Sequence, residues 1–221
     1  MKRTEVEGKE HLVRVSAGSV TLEGNLDVPE SARGIVLFAH GSGSSRHSPR
    51  NRYVAQVLCK SGLATLLIDL LTADEEVVDM QTAHLRFDID LLAERLVGAT
   101  DWLIQNPSTQ NLRIGYFGAS TGAAAALVAA AKRPAVVGAV VSRGGRPDLA
   151  GLALSRVQTP TLLIVGGNDF PVIDMNQEAL GQLRSVKKLV IVPGATHLFE
   201  EPGTLEEVAR LAADWFVRYL S

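Results

Sequence analysis

The sequence predicts an α/β fold, a three-layer sandwich whose mostly parallel sheet is preceded by an N-terminal antiparallel hairpin and carries no large lid. Three observations predict it. Short continuous apolar runs rich in β-branched residues recur along the chain, as strands buried on both faces do. Each is followed by a stretch of helical pattern, the alternation that builds right-handed βαβ crossovers. Finally, the segment before Pro29 alternates apolar and polar side chains instead, the signature of a half-buried hairpin.

Taken in order, Leu12, Val13 and Val15 and then Val20, Leu22 and Leu26 supply the hairpin's apolar positions, broken at Ala17-Gly18-Ser19. The buried strands are expected at Gly34 to Ala39, Ala64 to Leu70, Leu112 to Phe117, Val136 to Ser142, Thr161 to Gly166 and Lys188 to Val192. The helices are expected near Tyr53 to Lys60, Leu85 to Gln105, Ala123 to Lys132, Met175 to Leu183 and Leu205 to Tyr219. The acid-rich segment Thr72 to His84 falls outside this rhythm and reads as a surface excursion. No repeat, low-complexity segment or linker divides residues 1–221, so one domain is expected.

Composition narrows the function. Apolar residues make up 46% and charged residues 21%, and the formal net charge is -2, which gives no global electrostatic case for nucleic acid or a membrane surface. The single cysteine, Cys59, excludes an internal disulfide and reads as a small buried hydrophobe. The polar start and the lack of any run of ~18 apolar residues make a cytoplasmic location the expectation. Histidine and cysteine spacing shows no metal-ligand pattern and the glycine-rich turns form no dinucleotide fingerprint, so no cofactor is expected.

Ligands of such sheets bind beyond the carboxyl ends of the strands, so the residues ending each strand matter most. Phe38-Ala39-His40-Gly41-Ser42-Gly43 ends one strand in a glycine-bearing turn able to aim backbone N–H groups at a developing oxyanion. Gly118-Ala119-Ser120-Thr121-Gly122 lies between a strand and an alanine-rich helix. Glycines two before and two after Ser120 permit a tight strand-to-helix turn that presents the hydroxyl. Gly166-Gly167-Asn168-Asp169 and Gly194-Ala195-Thr196-His197 end two further strands with an acid and a histidine. Serine, acid and histidine in that chain order suit nucleophilic acyl transfer. A hydroxyl needs a base to take its proton, and the resulting imidazolium needs a carboxylate to orient and stabilise it. Asp174 is a second acid within reach of the same role, and His40, His47 and His84 compete with His197; His40 fits better as a structural hydrogen-bonding residue.

With these turns in place the chain resembles a small α/β-hydrolase of the dienelactone-hydrolase-like group over nearly its whole length. The resemblance implies Ser120 as nucleophile, Asp169 as orienting acid, His197 as general base, and an oxyanion hole from the backbone N–H groups of Ser42 and Thr121. Dienelactone hydrolases carry a cysteine in the elbow where this chain has Ser120. That difference favours a serine hydrolase acting on a small ester, thioester or lactone. A carboxymethylenebutenolidase-like lactonase, a non-catalytic binding module on the same scaffold, and carbon–carbon or peroxide chemistry are the alternatives.

The substrate is read from the flanking residues. Arg46, His47, Arg50 and Arg52 follow the first turn, while Arg143 and Arg146 follow the fourth buried strand; arginine's planar fork holds carboxylates and phosphates, which makes an anionic ester a candidate partner. Arg46 and Arg143 are the candidate substrate contacts of these clusters. The alternative is pairing with Asp69, Asp74, Glu75, Asp88 or Asp90, the commoner fate of an arginine among acids. Phe170 and Phe199 are candidates for an acyl pocket or for packing beneath the loops. The short connection from Gly144 to Gln158 leaves no space for a helical lid, so an open cleft is expected.

Overall fold

The computed structural model describes residues 10–221. The hairpin forms as β1 (His11–Ala17) and β2 (Val20–Asp27), and β3 (Gly34–Ala39), β4 (Ala64–Ile68), β5 (Arg113–Ala119), β6 (Val137–Arg143), β7 (Thr161–Gly166) and β8 (Lys187–Val192) complete one sheet in the order β1-β2-β4-β3-β5-β6-β7-β8. Pairing is antiparallel from β1 to β2 and from β2 to β4 and parallel from there on. Strand order reverses around β3 and β5, so the crevice of this doubly wound sheet lies over the ends carrying His40 and Ser120.

The helices are α1 (Pro49–Lys60), α2 (Ala73–Thr82), α3 (Ile89–Gln105), α4 (Thr121–Lys132), α5 (Phe170–Gln182) and α6 (Thr204–Leu220). One layer joins α3, α4 and the end of α5 to sheet residues such as Leu37, Tyr116 and Val140; the opposite layer joins α1 and α6 to Phe38, Phe117 and Val141. The alternation of Val140 and Val141 between layers follows from the two-residue period of a strand. Helix α4 has alanine at most positions, and its small side chains let it sink between β5 and α3, so that nearly all of it is buried. In α6 the apolar side chains Val208, Ala212, Trp215 and Phe216 recur at helical spacing and cover the sheet.

Two segments differ from the sequence expectation. The excursion over 72–84 contains helix α2, closed by a reciprocal capping box in which Thr72 Oγ1 accepts from the Glu75 N–H and the Glu75 carboxylate accepts from the Thr72 N–H. The expected helix Leu85 to Gln105 is split: Leu85–Phe87 is a single 3-10 turn, and α3 starts afresh because Asp88 caps it through the Leu91 N–H. The connection after β6 folds as 3-10 turns over Pro147–Arg156, packed on α4 and α5, and carries no large lid. Among the described residues no helix is long and apolar enough to cross a membrane.

Phe216 is fully buried beneath β5, where it fills the space left by the absent side chain of Gly115. Phe216→Ala should therefore lower unfolding free energy by about 3–5 kcal/mol in urea titration; a loss under about 1 kcal/mol would contradict this packing.

Candidate functional site

Ser120 stands between β5 and α4 with φ 50° and ψ -121°, in the left-handed half of conformational space that an L-residue adopts at a cost. The turn is possible because its flanking glycines have no Cβ. One on Gly122 would stand 2.3 Å from the Ala39 carbonyl oxygen, and one on Gly118 would stand 2.4 Å from Ala123 Cα. Three backbone hydrogen bonds hold it. The Ser120 N–H donates to Arg143 O (3.2 Å), and the Ser120 carbonyl accepts from the N–H groups of Ala123 and Arg146 (3.1 Å each).

The acid and histidine turns brace one another. Asn168 N–H donates to Ala195 O (2.9 Å), Asn168 Nδ2 to Gly194 O (3.0 Å) and Gly167 N–H to Val192 O (2.8 Å). This lock places His197 Nδ1 2.6 Å from Asp169 Oδ2, a charge-assisted geometry. The histidine thus pairs with Asp169, and Asp174 is not its partner. Asp169 is largely shielded from solvent, at 13% side-chain exposure, while His197 keeps 39%. Gly144, at φ 51°, lies against this pair: a Cβ there would stand 3.1 Å from the His197 carbonyl oxygen, and the left-handed backbone itself favours glycine.

The first strand-end turn packs on the same elbow, with the Gly41 Cβ position 3.1 Å from Ser120 Cβ. In this resting arrangement the Ser42 N–H is engaged, donating to Thr121 Oγ1 at 2.9 Å. His40 is a scaffold residue. Its Nε2 accepts from the Leu70 N–H (3.0 Å), which assigns the remaining proton to Nδ1, from which it is donated to Gly41 O (2.9 Å). Burial pushes its pKa below the ordinary histidine value, outweighing its hydrogen bond to Gly41 and the field of Asp69 and Glu76. A cavity of about 480 Å³ opens beside Ser42 and Thr121 and is lined also by Glu76, Met80 and Arg86. These α2-region residues are the part of the site that sequence reasoning missed. The Thr72-Glu75 capping box was the signal that could have found the helix.

The candidate substrate contacts separate. Arg46 requires correction: its guanidinium is consumed by Asp69, by Glu23 at 2.6 Å and by Asn25 Oδ1 at 3.0 Å, so it ties the turn to β2 and β4 and has no free face for a ligand. Phe170 is 68% exposed at the start of α5, whereas Phe199 is buried, so Phe170 does not pack beneath the loops and Phe199 does. Arg146 closes on Asp148, while Arg143 is buried with its guanidinium 5.9 Å from the Phe199 ring centroid. Cys59 is half-buried and its thiol is pushed up to about 12, chiefly by burial, which leaves no thiolate near neutral pH.

Comparison with known proteins decides the family, since the dienelactone hydrolase family matches residues 22–221. The chain belongs to that family. A dienelactone hydrolase crystal structure from Anabaena variabilis is 68% identical, with a TM-score of 0.95 over 97% of this chain and 99% of that one. A Xanthomonas campestris structure described as an α/β serine hydrolase without a lid shares the fold at a TM-score of 0.76 and 21% identity, over 96% of this chain and 95% of that one. Curated relatives from two Mycobacterium tuberculosis strains, provisionally named phosphoribosyl transferases, are 62% identical over 208 residues, 94% of this chain and 46% of theirs. This member of the dienelactone hydrolase family therefore spans about half the length of the curated relatives it matches.

The neutral His40 makes stability pH-dependent. Its folded pKa lies below the unfolded value of about 6.5, so the unfolded chain binds the extra proton more readily. The stabilisation is complete above pH ~6.5 and is lost as pH falls below that value toward the folded pKa. Chemical denaturation between pH 8 and 5 should show a steeper loss in the protein than in His40→Asn. Parallel profiles would refute the assignment.

Proposed function

We propose that the protein is a serine hydrolase that cleaves a small ester, thioester or lactone through an acyl-enzyme on Ser120. The observation that carries this reading is the His197–Asp169 pair at 2.6 Å together with the strained strand-to-helix turn at Ser120. Ser120 Oγ attacks the carbonyl carbon while His197 Nε2 takes its proton. Asp169 holds Nδ1–H and balances the imidazolium charge. The tetrahedral oxygen receives hydrogen bonds from the N–H groups of Thr121 and Ser42, the latter exchanging its Thr121 Oγ1 partner for the substrate. Collapse expels the alcohol or thiol, which takes the proton from His197. A water, deprotonated by the same histidine, then attacks the acyl-enzyme and releases the acid.

The cavity beside Ser42 and Thr121 suits a small, accessible substrate better than a long acyl chain, since it is rimmed by polar groups such as Glu76 and Arg86. The phosphoribosyl transferase name of the mycobacterial relatives describes proteins more than twice as long as the matching part, and we do not extend it to this chain.

Ser120→Ala should abolish turnover of p-nitrophenyl acetate and labelling by a serine-directed phosphonate while circular dichroism stays unchanged. Retained turnover would exclude Ser120 as the nucleophile, and an unlabelled native protein would favour a non-catalytic binding module. Asp169→Asn should keep the fold but reduce kcat on the order of 10⁴-fold, the cost of losing the histidine's tautomer and charge partner in serine hydrolases. A loss under tenfold would leave Asp169 without its orienting role.

A further inference from the structure

Asn176 of α5 is polar yet fully buried, and it does not line the cavity beside Ser42 and Thr121. Its Nδ2 donates to Gly145 O at 3.0 Å and to Val172 O at 2.7 Å. Both amide protons are therefore engaged, and the two carbonyls fix which end of the amide faces them. Oδ1 is buried with no donor among the described residues, a cost that an apolar side chain of similar size would avoid. What the residue supplies at this position is its pair of N–H donors. Val172 lies in the first turn of α5, where its own N–H and that of Ile173 donate to the Asp169 carbonyl (3.0 Å each), so the same turn anchors the acid.

The bond to Gly145 leads to the reacting serine through two peptide units. Gly145 C=O and the Arg146 N–H belong to one planar trans peptide, so holding the carbonyl on one side aims the N–H to the other. That N–H donates to Ser120 O at 3.1 Å. Ser120 C=O in turn shares its peptide plane with the Thr121 N–H, one of the two donors assigned to the tetrahedral oxygen. The chain from Asn176 Nδ2–H through the 145–146 peptide to the 120–121 peptide is thus continuous, and each carbonyl that accepts a hydrogen bond polarises the N–H of its own peptide. Gly145 has no room to swing aside, since a Cβ on it would meet Ser142 Oγ at 2.0 Å and Ala123 Cβ at 2.6 Å. We propose that Asn176 is a positioning residue that orients and polarises the Thr121 N–H of the oxyanion hole through these two peptides, strengthening transition-state binding without touching substrate. The role rests on the hydrolase reading and adds to it a residue outside the cavity.

Asn176→Leu keeps nearly the same side-chain size and removes both donors, and Asn176→Asp sets a carboxylate against the two carbonyls. With active sites counted by phosphonate titration, each variant should hydrolyse p-nitrophenyl acetate with kcat about 10- to 100-fold lower, at or below the loss from deleting an oxyanion donor outright. KM should stay within about threefold, because the interaction is made in the transition state only. Affinity for a trifluoromethyl ketone, whose hemiketal with Ser120 carries the oxyanion, should fall by the same factor as kcat/KM. A merely structural role would lower Tm and the number of active sites and leave kcat and ketone affinity per site unchanged; that outcome in both variants would overturn the proposal. If neither variant folds, NMR of the native enzyme decides: the Asn176 Nδ2 proton resonances should shift when the trifluoromethyl ketone binds, and resonances that stay in place would overturn it. Ester hydrolysis independent of Ser120 would defeat the hydrolase reading and this role with it, whereas Ser120-dependent hydrolysis indifferent to Asn176 would defeat this role alone.

Discussion

The backbone of Ser120 is the constraint on which the rest of the site depends. A non-glycine residue at φ 50° and ψ -121° costs on the order of 1–3 kcal/mol, so the conformation persists only where its surroundings over-determine it. Here they do. The Ser120 N–H is held by β6, its carbonyl accepts from both α4 and the loop after β6, and the bare faces of Gly118 and Gly122 let α4 and β3 close in from two sides. Relaxing Ser120 toward extended backbone would break contacts to three elements at once. The strain is therefore spread over the central sheet, and the hydroxyl is presented at one fixed height above it.

Charge pairing separates the arginines of this protein into two kinds. Arg46, Arg86 and Arg95 are substantially shielded, and each ends on a carboxylate: Asp69 and Glu23 for Arg46, Asp79 for Arg86 and Glu75 for Arg95. These pairs fasten the loops around the cavity; Arg86 with Asp79 fixes the end of α2, and Arg95 reaches from α3 to the capping-box Glu75. Removing one partner would strand the other in a poorly solvated place, so such pairs constrain structure more than they add stability. Arg143 is more buried than any of these three and has no such partner among the described residues.

Much of this was legible in the sequence because the signals were local. The boundaries of β3 and β7 follow from apolar runs ended by glycine, and the Ser120, Asp169 and His197 turns carry their glycines within a few residues. Helix α2 was lost because its acid-rich composition resembles a solvated loop, although Thr72 and Glu75 stand at capping-box spacing; its start is fixed by local hydrogen bonds, and its apolar residues Val77, Val78 and Met80 remain exposed. The fate of Arg46 and Arg143 was not legible at all. Both stand at or just past strand ends, yet Arg46 meets Asp69, 23 residues on, only because β4 lies beside β3, and Arg143 pairs with no carboxylate among the described residues because its side chain lies in the α1/α6 layer against Phe199 and Arg50.

The segment from Arg143 to Arg146 couples what would otherwise be independent parts. Arg143 O and the Arg146 N–H hold Ser120 from both sides, Gly144 lies close against the His197 carbonyl oxygen, and Gly145 O is fixed by Asn176 Nδ2 of α5 at 3.0 Å. Four consecutive residues thus touch both the serine turn after β5 and the histidine turn after β8, although β6 and β7 lie between those strands.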